Sequence, residues 1–175
     1  ANRRASEVRL LAFDVDGVLT DGSLLYTDQG FELKAFNTLD GHGIKLLQQA
    51  GIEVAIISGR RARCVDLRAA HLGIRHVFQD VPNKLEVMIA LLSQLGLHST
   101  AAGFMGDDLP DLPVMLHCGF SATTGDAHPV MQRHALVTTT RGGGRGAVRE
   151  VCDFILEAQN RLACVLAPFL SSTDR

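Results

Sequence analysis

Short runs of apolar residues alternate along the chain with segments whose apolar residues recur at helical spacing. The apolar runs predict buried strands at residues 8–13, 54–57, 102–105 and 135–137, and a shorter strand at 119–121. The helical spacing predicts helices at residues 42–50, 62–72, 83–95, 111–117 and 146–162. Strands that alternate with helices in this way are typical of a parallel sheet.

The fold class that follows is α/β: a Rossmann-like parallel sheet with helices on both faces, in one domain over residues 1–175. Such sheets bind ligands in the crevice beyond the carboxyl ends of their strands. Polar motifs that directly follow strands are therefore candidates for a catalytic site. Residues 163–175, after the last predicted helix, are expected to form a mobile tail.

One segment, residues 23–37, departs from the alternation. Two short apolar stretches flank the tetrad Thr27, Asp28, Gln29 and Gly30, whose residues favour turns. This pattern predicts a β-hairpin. Because the hairpin follows the first polar motif, we expect it to project as a flap over the mouth of the crevice.

Composition narrows the class of protein. The chain has 175 residues, 46% of them hydrophobic and 21% charged, which fits one globular domain with an apolar core. Its formal net charge is −2 and no basic stripe is visible, which argues against a nucleic-acid partner. No apolar stretch reaches membrane-spanning length and no secretory signal pattern is present. The four cysteines form no CxxC pair, so we expect reduced thiols in a cytoplasmic protein.

Two carboxylates follow the first predicted strand, in the segment Asp14-Val15-Asp16-Gly17. One carboxylate of such a pair can attack phosphorus, and the other can protonate a leaving alcohol and then activate water. The alternative is an Asp-Gly turn in which Asp16 only caps the backbone. DxDG alone does not decide between these interpretations.

Two further polar segments follow the same logic. Ser58, Gly59 and Arg60 come directly after the second strand, where a hydroxyl and backbone N–H groups can bind an anion, although Ser58 also suits a helix cap. Lys84 lies at a predicted helix start, where the helix dipole disfavours a cation. Lys84 is therefore a candidate to neutralise a phosphate in the crevice, with a solvated surface lysine as the alternative.

The third strand runs into Gly106-Asp107-Asp108, with Asp111 three residues further on. Like charges at this density require a cation, and Mg²⁺ prefers carboxylate oxygens. An acidic helix start is the competing explanation. The four polar segments nevertheless follow strands or begin helices in succession, so coincidence is a poor account of them together.

In this order the motifs resemble those of the haloacid dehalogenase superfamily of phosphohydrolases. DVDGV is similar to the first motif, Ser58 to the second, Lys84 to the third, and GDDLPD to the fourth. The resemblance spans nearly the whole chain. It implies that Asp14 is the nucleophile, that Asp16 is the general acid and base, and that Ser58 and Lys84 bind the phosphoryl group.

The resemblance also implies a cofactor, Mg²⁺, and the groups that hold it. The expected ligands are the Asp14 carboxylate, the Asp16 main-chain carbonyl and the Asp107 carboxylate. Asp108 and Asp111 are expected to support the metal waters and the lysine.

Further segments resemble a subgroup of small sugar-acid phosphatases of lipopolysaccharide synthesis: FDVDGVLTDG, FNTLDGHGI, ISGR, GDDLPDLPVM and RGGGRGAVREV. Members lack a separate cap domain and form homotetramers in which hairpins and neighbouring subunits close the active site. The resemblance therefore implies a phosphorylated sugar-acid substrate, with Ser58, Gly59, Arg60 and Lys84 at its binding site. Arg60 suits the carboxylate of such a substrate, with a surface arginine at a helix start as the alternative.

Several alternatives stay open at this stage. A related nonulosonate 9-phosphate is the alternative substrate. A catalytically idle oligomerisation or sugar-binding module belongs to a different class, and the intact DxD pair, Lys84 and GDD argue against it. A phospho-acceptor switch would share the aspartate and the metal, but the second carboxylate, Asp16, favours turnover. His42 and the glycine-rich segment 141–146 are weaker candidates for contact with substrate or with a neighbouring site.

Overall fold

The computed structural model describes residues 1–170 and contains two sheets. Its strands are β1 (Leu10–Phe13), β2 (Leu25–Tyr26), β3 (Glu32–Leu33), β4 (Glu53–Ile57), β5 (His76–Phe78), β6 (Ala102–Met105), β7 (Phe120–Thr123) and β8 (Val137–Thr138). Six of them form the main sheet in the order β5-β4-β1-β6-β7-β8, with every neighbouring pair parallel. Strands β2 and β3 pair separately as an antiparallel hairpin.

Helices cover both faces of the main sheet. They are α1 (Asn2–Ser6), α2 (Thr38–Gln49), α3 (Arg63–Leu72), α4 (Lys84–Leu95), α5 (Leu112–His117), α6 (Pro129–His134), α7 (Ala147–Ala158) and α8 (Leu162–Leu170). Buried residues of α2, α3 and α7 pack in one apolar cluster, and those of α4, α5 and α6 pack in the other. None of the helices in residues 1–170 is long and apolar enough to cross a bilayer.

The central strand β1 shows why the apolar runs are uninterrupted. Leu11 and Phe13 join the cluster under α2 and α7, whereas Leu10 and Ala12 join the cluster under α4 and α5. Successive side chains of a strand point to opposite faces, so a strand covered on both sides must be apolar at every position.

The path of the chain places a crevice at the end of β1. From β1 the chain passes through α2 to β4 on one side, and the strand on the other side of β1 is β6. The connection after β6 leads to β7, away from β1, so the connections after the neighbouring strands β1 and β6 run in opposite directions. α/β sheets bind ligands at such a switch point. Asp14 is the first residue after β1, and its N–H donates to the carbonyl of Met105 at 3.0 Å.

The predicted fold class, α/β with helices on both faces and a small hairpin, is confirmed. Several boundaries differ from the sequence predictions. Helix α2 begins at Thr38, earlier than expected, because the Asn37 side chain accepts a hydrogen bond from Leu39 N at 2.8 Å and caps the helix. The hairpin pairs only Leu25–Tyr26 with Glu32–Leu33, within the expected 23–37.

Among the β-strands and α-helices of residues 1–170, four were not predicted: α1, β5, α6 and α8. β5 is three residues long at the edge of the sheet, and its residues are only partly buried, so its apolar pattern is weak. Helix α8 occupies Leu162–Leu170, where the sequence suggests a tail. Residues 171–175 of that expected tail lie outside the described part of the chain.

Candidate active site

A cavity of about 360 Å³ opens at the carboxyl ends of β1, β4 and β6. It brings together residues from all four polar segments and from the approach to the hairpin. Its lining comprises Asp14, Asp16, Gly22, Leu24, Ser58, Gly59, Arg60, Val81, Pro82, Lys84, Asp107, Asp108, Pro110 and Asp111. Every residue that the sequence predicted for the catalytic, metal and substrate groups therefore lines this one cavity.

Lys84 lies between two carboxylates inside this cavity. Its Nζ is 2.9 Å from Asp14 Oδ1 and 2.5 Å from Asp111 Oδ1, and its side chain is 6% exposed. Asn83 caps α4 by accepting hydrogen bonds from the first turn, and this fixes Lys84 at the first helical position. The structure thus gives Lys84 the partners that offset its unfavourable place in the helix dipole.

Burial and mutual repulsion perturb the carboxylates of the site. Burial, followed by the charge of Asp111, raises the pKa of Asp14 to about 7, against the opposing effect of Lys84. Burial and the charge of Asp14 raise the pKa of Asp107 to about 7. Burial alone would lower the pKa of Lys84, but Asp111 and Asp14 outweigh it and raise this pKa. Such perturbed groups in a cleft are typical of functional sites.

Three of these carboxylates have the chemistry of a site for a hard cation. One carboxylate oxygen from each of Asp14, Asp107 and Asp111 lies within 4.8 Å of the others. Mg²⁺ is bound in proteins by carboxylate oxygens together with water and substrate phosphate. Lys84 supplies one positive charge beside three carboxylates, so a divalent cation fits the remaining charge.

The Asp16 side chain does not point into this cluster. It lies instead with cations of the hairpin and of the loop after β4, as described below. This leaves its main-chain carbonyl for the metal role that the sequence resemblance implies. Asp108 is exposed, and its Oδ1 accepts a hydrogen bond from Leu109 N at 2.8 Å, so it borders the cavity while capping the next turn.

Gly17 allows the first motif to approach Asp107. It has φ +85°, and a Cβ at this position would lie 2.0 Å from Asp107 Oδ2. The glycine-rich segment supports the same turn from behind. A Cβ on Gly143 would lie 2.0 Å from Gly17 O, and Gly144 N donates to Val18 O at 3.0 Å. These glycines therefore permit close backbone packing.

Ser58 is buried at the end of β4, and its Oγ accepts a hydrogen bond from Arg60 N at 3.3 Å. Its backbone is held between neighbouring segments, since Ser58 N donates to Phe78 O and Ser58 O accepts from Val81 N. Gly59 lies between these two residues on the cavity wall. The expected anion-binding loop thus has a fixed backbone.

Four charged side chains link the hairpin to the first motif. Lys34 Nζ contacts both Asp16 Oδ1 and Glu32 Oε1, the latter at 2.6 Å. Arg60 continues the chain of contacts, with Nη2 3.0 Å from Glu32 Oε2 and Nε 3.6 Å from Asp16 Oδ2. Arg60 Nη2 is also 2.9 Å from Tyr26 Oη. We call Asp16, Glu32, Lys34 and Arg60 the charge ring.

Glu32 and Lys34 were not predicted as site residues from the sequence. The available signal was a pair of opposite charges two residues apart near β3, which places both on the same face of the strand. Hairpins with alternating charges are common on surfaces, so only the docked structure identifies that face as the one toward Asp16. Burial alone would lower the pKa of Lys34, but Asp16 and Glu32 raise it.

The weaker candidates lie elsewhere. His42 is on α2, in a cleft with Lys45 and Arg68, and does not line the cavity of Asp14. Arg145 pairs with Asp21 at 3.2 Å and does not reach this cavity within its own chain.

The comparisons with curated proteins and with solved structures agree on one family. A scan against models of protein families gives no match. The chain is 49% identical over 160 residues to 3-deoxy-D-manno-octulosonate 8-phosphate phosphatase KdsC of Yersinia pestis, covering 91% of this chain and 86% of that protein.

Solved structures give the same result. The crystal structure of the phosphatase of this name from Moraxella catarrhalis, in complex with magnesium, phosphate and KDO, superposes with a TM-score of 0.94 at 41% identity, covering 96% of this chain and 97% of that one. The cobalt-bound Haemophilus influenzae phosphatase superposes with a TM-score of 0.88 at 37% identity, covering 91% and 94%. The chain therefore belongs to the 3-deoxy-D-manno-octulosonate 8-phosphate phosphatases, a family of phosphoric monoester hydrolases in the haloacid dehalogenase superfamily.

Proposed function

We propose that the protein hydrolyses 3-deoxy-D-manno-octulosonate 8-phosphate to the free sugar acid and phosphate, through an aspartyl-phosphate formed on Asp14. The observation that carries this proposal is the position of Asp14. It lies at the switch point of the sheet, 2.9 Å from the buried Lys84 ammonium and beside the carboxylates of Asp107 and Asp111. A nucleophile, a phosphate-neutralising cation and a cation site thus meet in one cavity.

In the first displacement Asp14 attacks phosphorus in line with the leaving sugar oxygen. The bond between phosphorus and that oxygen breaks as the bond to Asp14 forms, and Asp16 gives its proton to the leaving alcohol. Lys84, the Ser58 hydroxyl and the N–H groups of Gly59 and Arg60 stabilise the negative charge on the phosphoryl oxygens.

In the second displacement Asp16, now a carboxylate, takes a proton from a water molecule. The resulting nucleophile attacks phosphorus, phosphate leaves, and the Asp14 carboxylate is restored. Bound Mg²⁺ supplies charge neutralisation and alignment for the transferring phosphoryl group. On this proposal the Asp14 and Asp107 carboxylates and the Asp16 main-chain carbonyl hold the metal, while Asp111 fixes Lys84 and Asp108 supports the metal waters.

Arg60 is the proposed partner for the carboxylate of the sugar acid. Its guanidinium borders the cavity and is held by Glu32 and Tyr26, the strand pair of the hairpin next to its turn. A planar guanidinium matches a carboxylate in two parallel hydrogen bonds. This would place the acid end of the substrate under the hairpin and the phosphate end at Asp14.

The hairpin also supports a homo-oligomer, which we propose to be a tetramer. Leu25, Tyr26, Phe31 and Leu33 are each more than half exposed in the single chain. Clustered apolar residues on a short flap favour burial against another subunit. The four cysteines are free thiols, in keeping with the proposed cytoplasmic location.

The function is tested by measuring phosphate release from 3-deoxy-D-manno-octulosonate 8-phosphate and from a nonulosonate 9-phosphate, each with Mg²⁺ and with EDTA. We expect Mg²⁺-dependent release with higher kcat/KM for the octulosonate. Preference for the nonulosonate would keep the chemistry and change the substrate. Release from neither sugar would contradict the proposal and favour an idle module.

Mg²⁺ should bind more tightly above pH 7 than below it. The pKa of Asp14 and of Asp107 lies near 7 in the folded protein, above the ordinary 3.8, so without metal each carboxyl destabilises the fold as pH rises from about 4 to 7. Above pH 7 both are ionised and available to Mg²⁺, whereas below it protons compete with the metal.

We therefore expect Mg²⁺ at about 100-fold excess over its Kd at pH 8 to raise the Tm by roughly 5–10 °C, and by much less at pH 5. Differential scanning calorimetry of wild type and Asp107→Asn, each with Mg²⁺ or EDTA at both pH values, measures this. Asp107→Asn should lose most of the shift at pH 8. An equal shift in the variant would exclude Asp107 as a ligand.

A further inference from the structure

The charge ring connects the hairpin to the carboxylate beside the nucleophile. Its members alternate in sign, Asp16, Lys34, Glu32 and Arg60, and each contacts the next until the ring closes on Asp16. The two oxygens of Asp16 face two different cations, Oδ1 facing Lys34 and Oδ2 facing Arg60. A carboxylate held at both oxygens has a fixed orientation.

The two cations differ in burial. The side chain of Lys34 is 1% exposed, whereas that of Arg60 is 44% exposed. Water screens exposed ion pairs, so such a pair restrains the positions of its side chains only weakly. A buried lysine keeps its partners, because an unpaired buried charge greatly lowers the free energy of unfolding. Lys34 is therefore the stronger constraint on Asp16.

Lys34 and Arg60 also belong to different segments of the chain. Lys34 directly follows β3 of the hairpin, whereas Arg60 lies in the loop after β4. The second partner of Lys34, Glu32, lies on β3 itself and is in turn held by Arg60. The ammonium can reach Asp16 only when the hairpin lies over the cavity. The orientation of Asp16 thus depends on the position of the flap.

We propose that Lys34 is a positioning residue that orients the Asp16 carboxyl group toward the leaving-group oxygen, so that docking of the hairpin and protonation of the leaving alcohol are coupled. This inference rests on the proposed function, in which Asp16 is the general acid. The proton passes from Asp16 to the oxygen of the broken bond, and Lys34 keeps its own protons.

The test compares two substrates that differ in their need for an acid. The sugar alcohol of 3-deoxy-D-manno-octulosonate 8-phosphate must be protonated as it leaves, whereas the phenolate of p-nitrophenyl phosphate is stable as an anion. Single turnovers with enzyme in saturating excess, followed by release of the alcohol, report the first displacement alone. They also separate the rate at saturation from the half-saturation concentration.

We expect Lys34→Met to lower the saturated rate for the sugar phosphate by about 10- to 100-fold, part of the roughly 10²- to 10⁴-fold that general acid catalysis contributes. The rate with p-nitrophenyl phosphate should change by less than about 3-fold, since that leaving group needs no proton. Lys34→Arg should restore part of the sugar-phosphate rate. Lys45→Met, the same change at an exposed position of α2, should leave both rates unchanged.

Each result decides the proposal. Equal losses with both substrates, or a change confined to the half-saturation concentration, would give Lys34 a purely structural or binding role and overturn the inference. Asp16→Asn serves as the reference and should show the same dependence on the leaving group. If Asp16→Asn shows it and Lys34→Met does not, the proposed function stands and the inference falls. A wild-type protein that releases no sugar would refute both.

Discussion

Replacing Asp14 with asparagine is expected to abolish phosphate release while the fold stays intact. Loss of an enzyme's nucleophile lowers turnover by roughly 10⁶-fold, because the remaining groups have no covalent route to assist. Asparagine has nearly the same shape as aspartate. It also removes one of three closely spaced carboxylates that repel each other, so the Tm in EDTA at pH 8 should not fall by more than a few degrees.

The measurement is phosphate release with Mg²⁺, together with mass spectrometry of the quenched enzyme for phosphate bound to the chain. Wild type should carry one phosphate on the peptide that contains Asp14, and the variant none. Asp66→Asn is the matched control, since Asp66 is an exposed carboxylate on α3 whose contact is with Gln79. Appreciable turnover by Asp14→Asn would refute its role as nucleophile.

Replacing Lys84 with methionine should damage both activity and stability. Activity should fall by about 10³-fold, since a preorganised cation at the transferring phosphoryl group is lost. Without the ammonium, the buried carboxylates of Asp14 and Asp111 face each other unneutralised. Removing one partner of a buried ion pair costs about 3–5 kcal/mol of unfolding free energy.

The loss of unfolding free energy in Lys84→Met should be larger at high pH than at low pH. The pKa of both Asp14 and Asp111 is already raised in the folded protein, and loss of Lys84 raises it further. The unfolded chain therefore releases these protons at lower pH than the folded one, and stability falls as pH rises through the folded pKa values. Urea unfolding in EDTA should show a larger deficit at pH 8 than at pH 5.

Lys45→Met controls for the chemical change, because Lys45 is exposed on α2. A deficit of equal size at both pH values would mean that Lys84 stabilises the fold through packing of its aliphatic stem. Full activity of Lys84→Met would exclude it from the phosphoryl site. The two readouts separate the catalytic and structural contributions of one side chain.

The sheet and the main cavity could be predicted because the residues that indicate them are close together in the sequence. Uninterrupted apolar runs mark strands that are covered on both faces, and Asp14, Ser58 and Asp107 each follow such a run directly. The parallel order of the strands then brings those positions to one edge. Knowledge of the order β4-β1-β6 adds only which of them are neighbours.

The charge ring could not be predicted in the same way. Glu32 and Lys34 lie on a two-stranded flap whose apolar residues remain exposed, so no hydrophobic pattern fixes the direction in which it folds. The contact between Lys34 and Asp16 depends on the docking angle of the whole hairpin. β5 could not be predicted for a related reason. Its three partly buried residues at the edge of the sheet are too few to form a recognisable hydrophobic pattern.

The packing of the glycine-rich segment on the first motif has a consequence for the order of folding. Gly143 and Gly144 contact the backbone of Gly17, Val18 and Thr20, which lie more than a hundred positions earlier in the chain. Such a long-range contact forms late, because the intervening chain must first be ordered. During synthesis, the turn after the nucleophile can therefore gain its contacts with Gly143 and Gly144 only after most of the protein has left the ribosome. A nascent chain can thus contain every strand of the main sheet through β7, which ends at Thr123, before it can acquire catalytic competence.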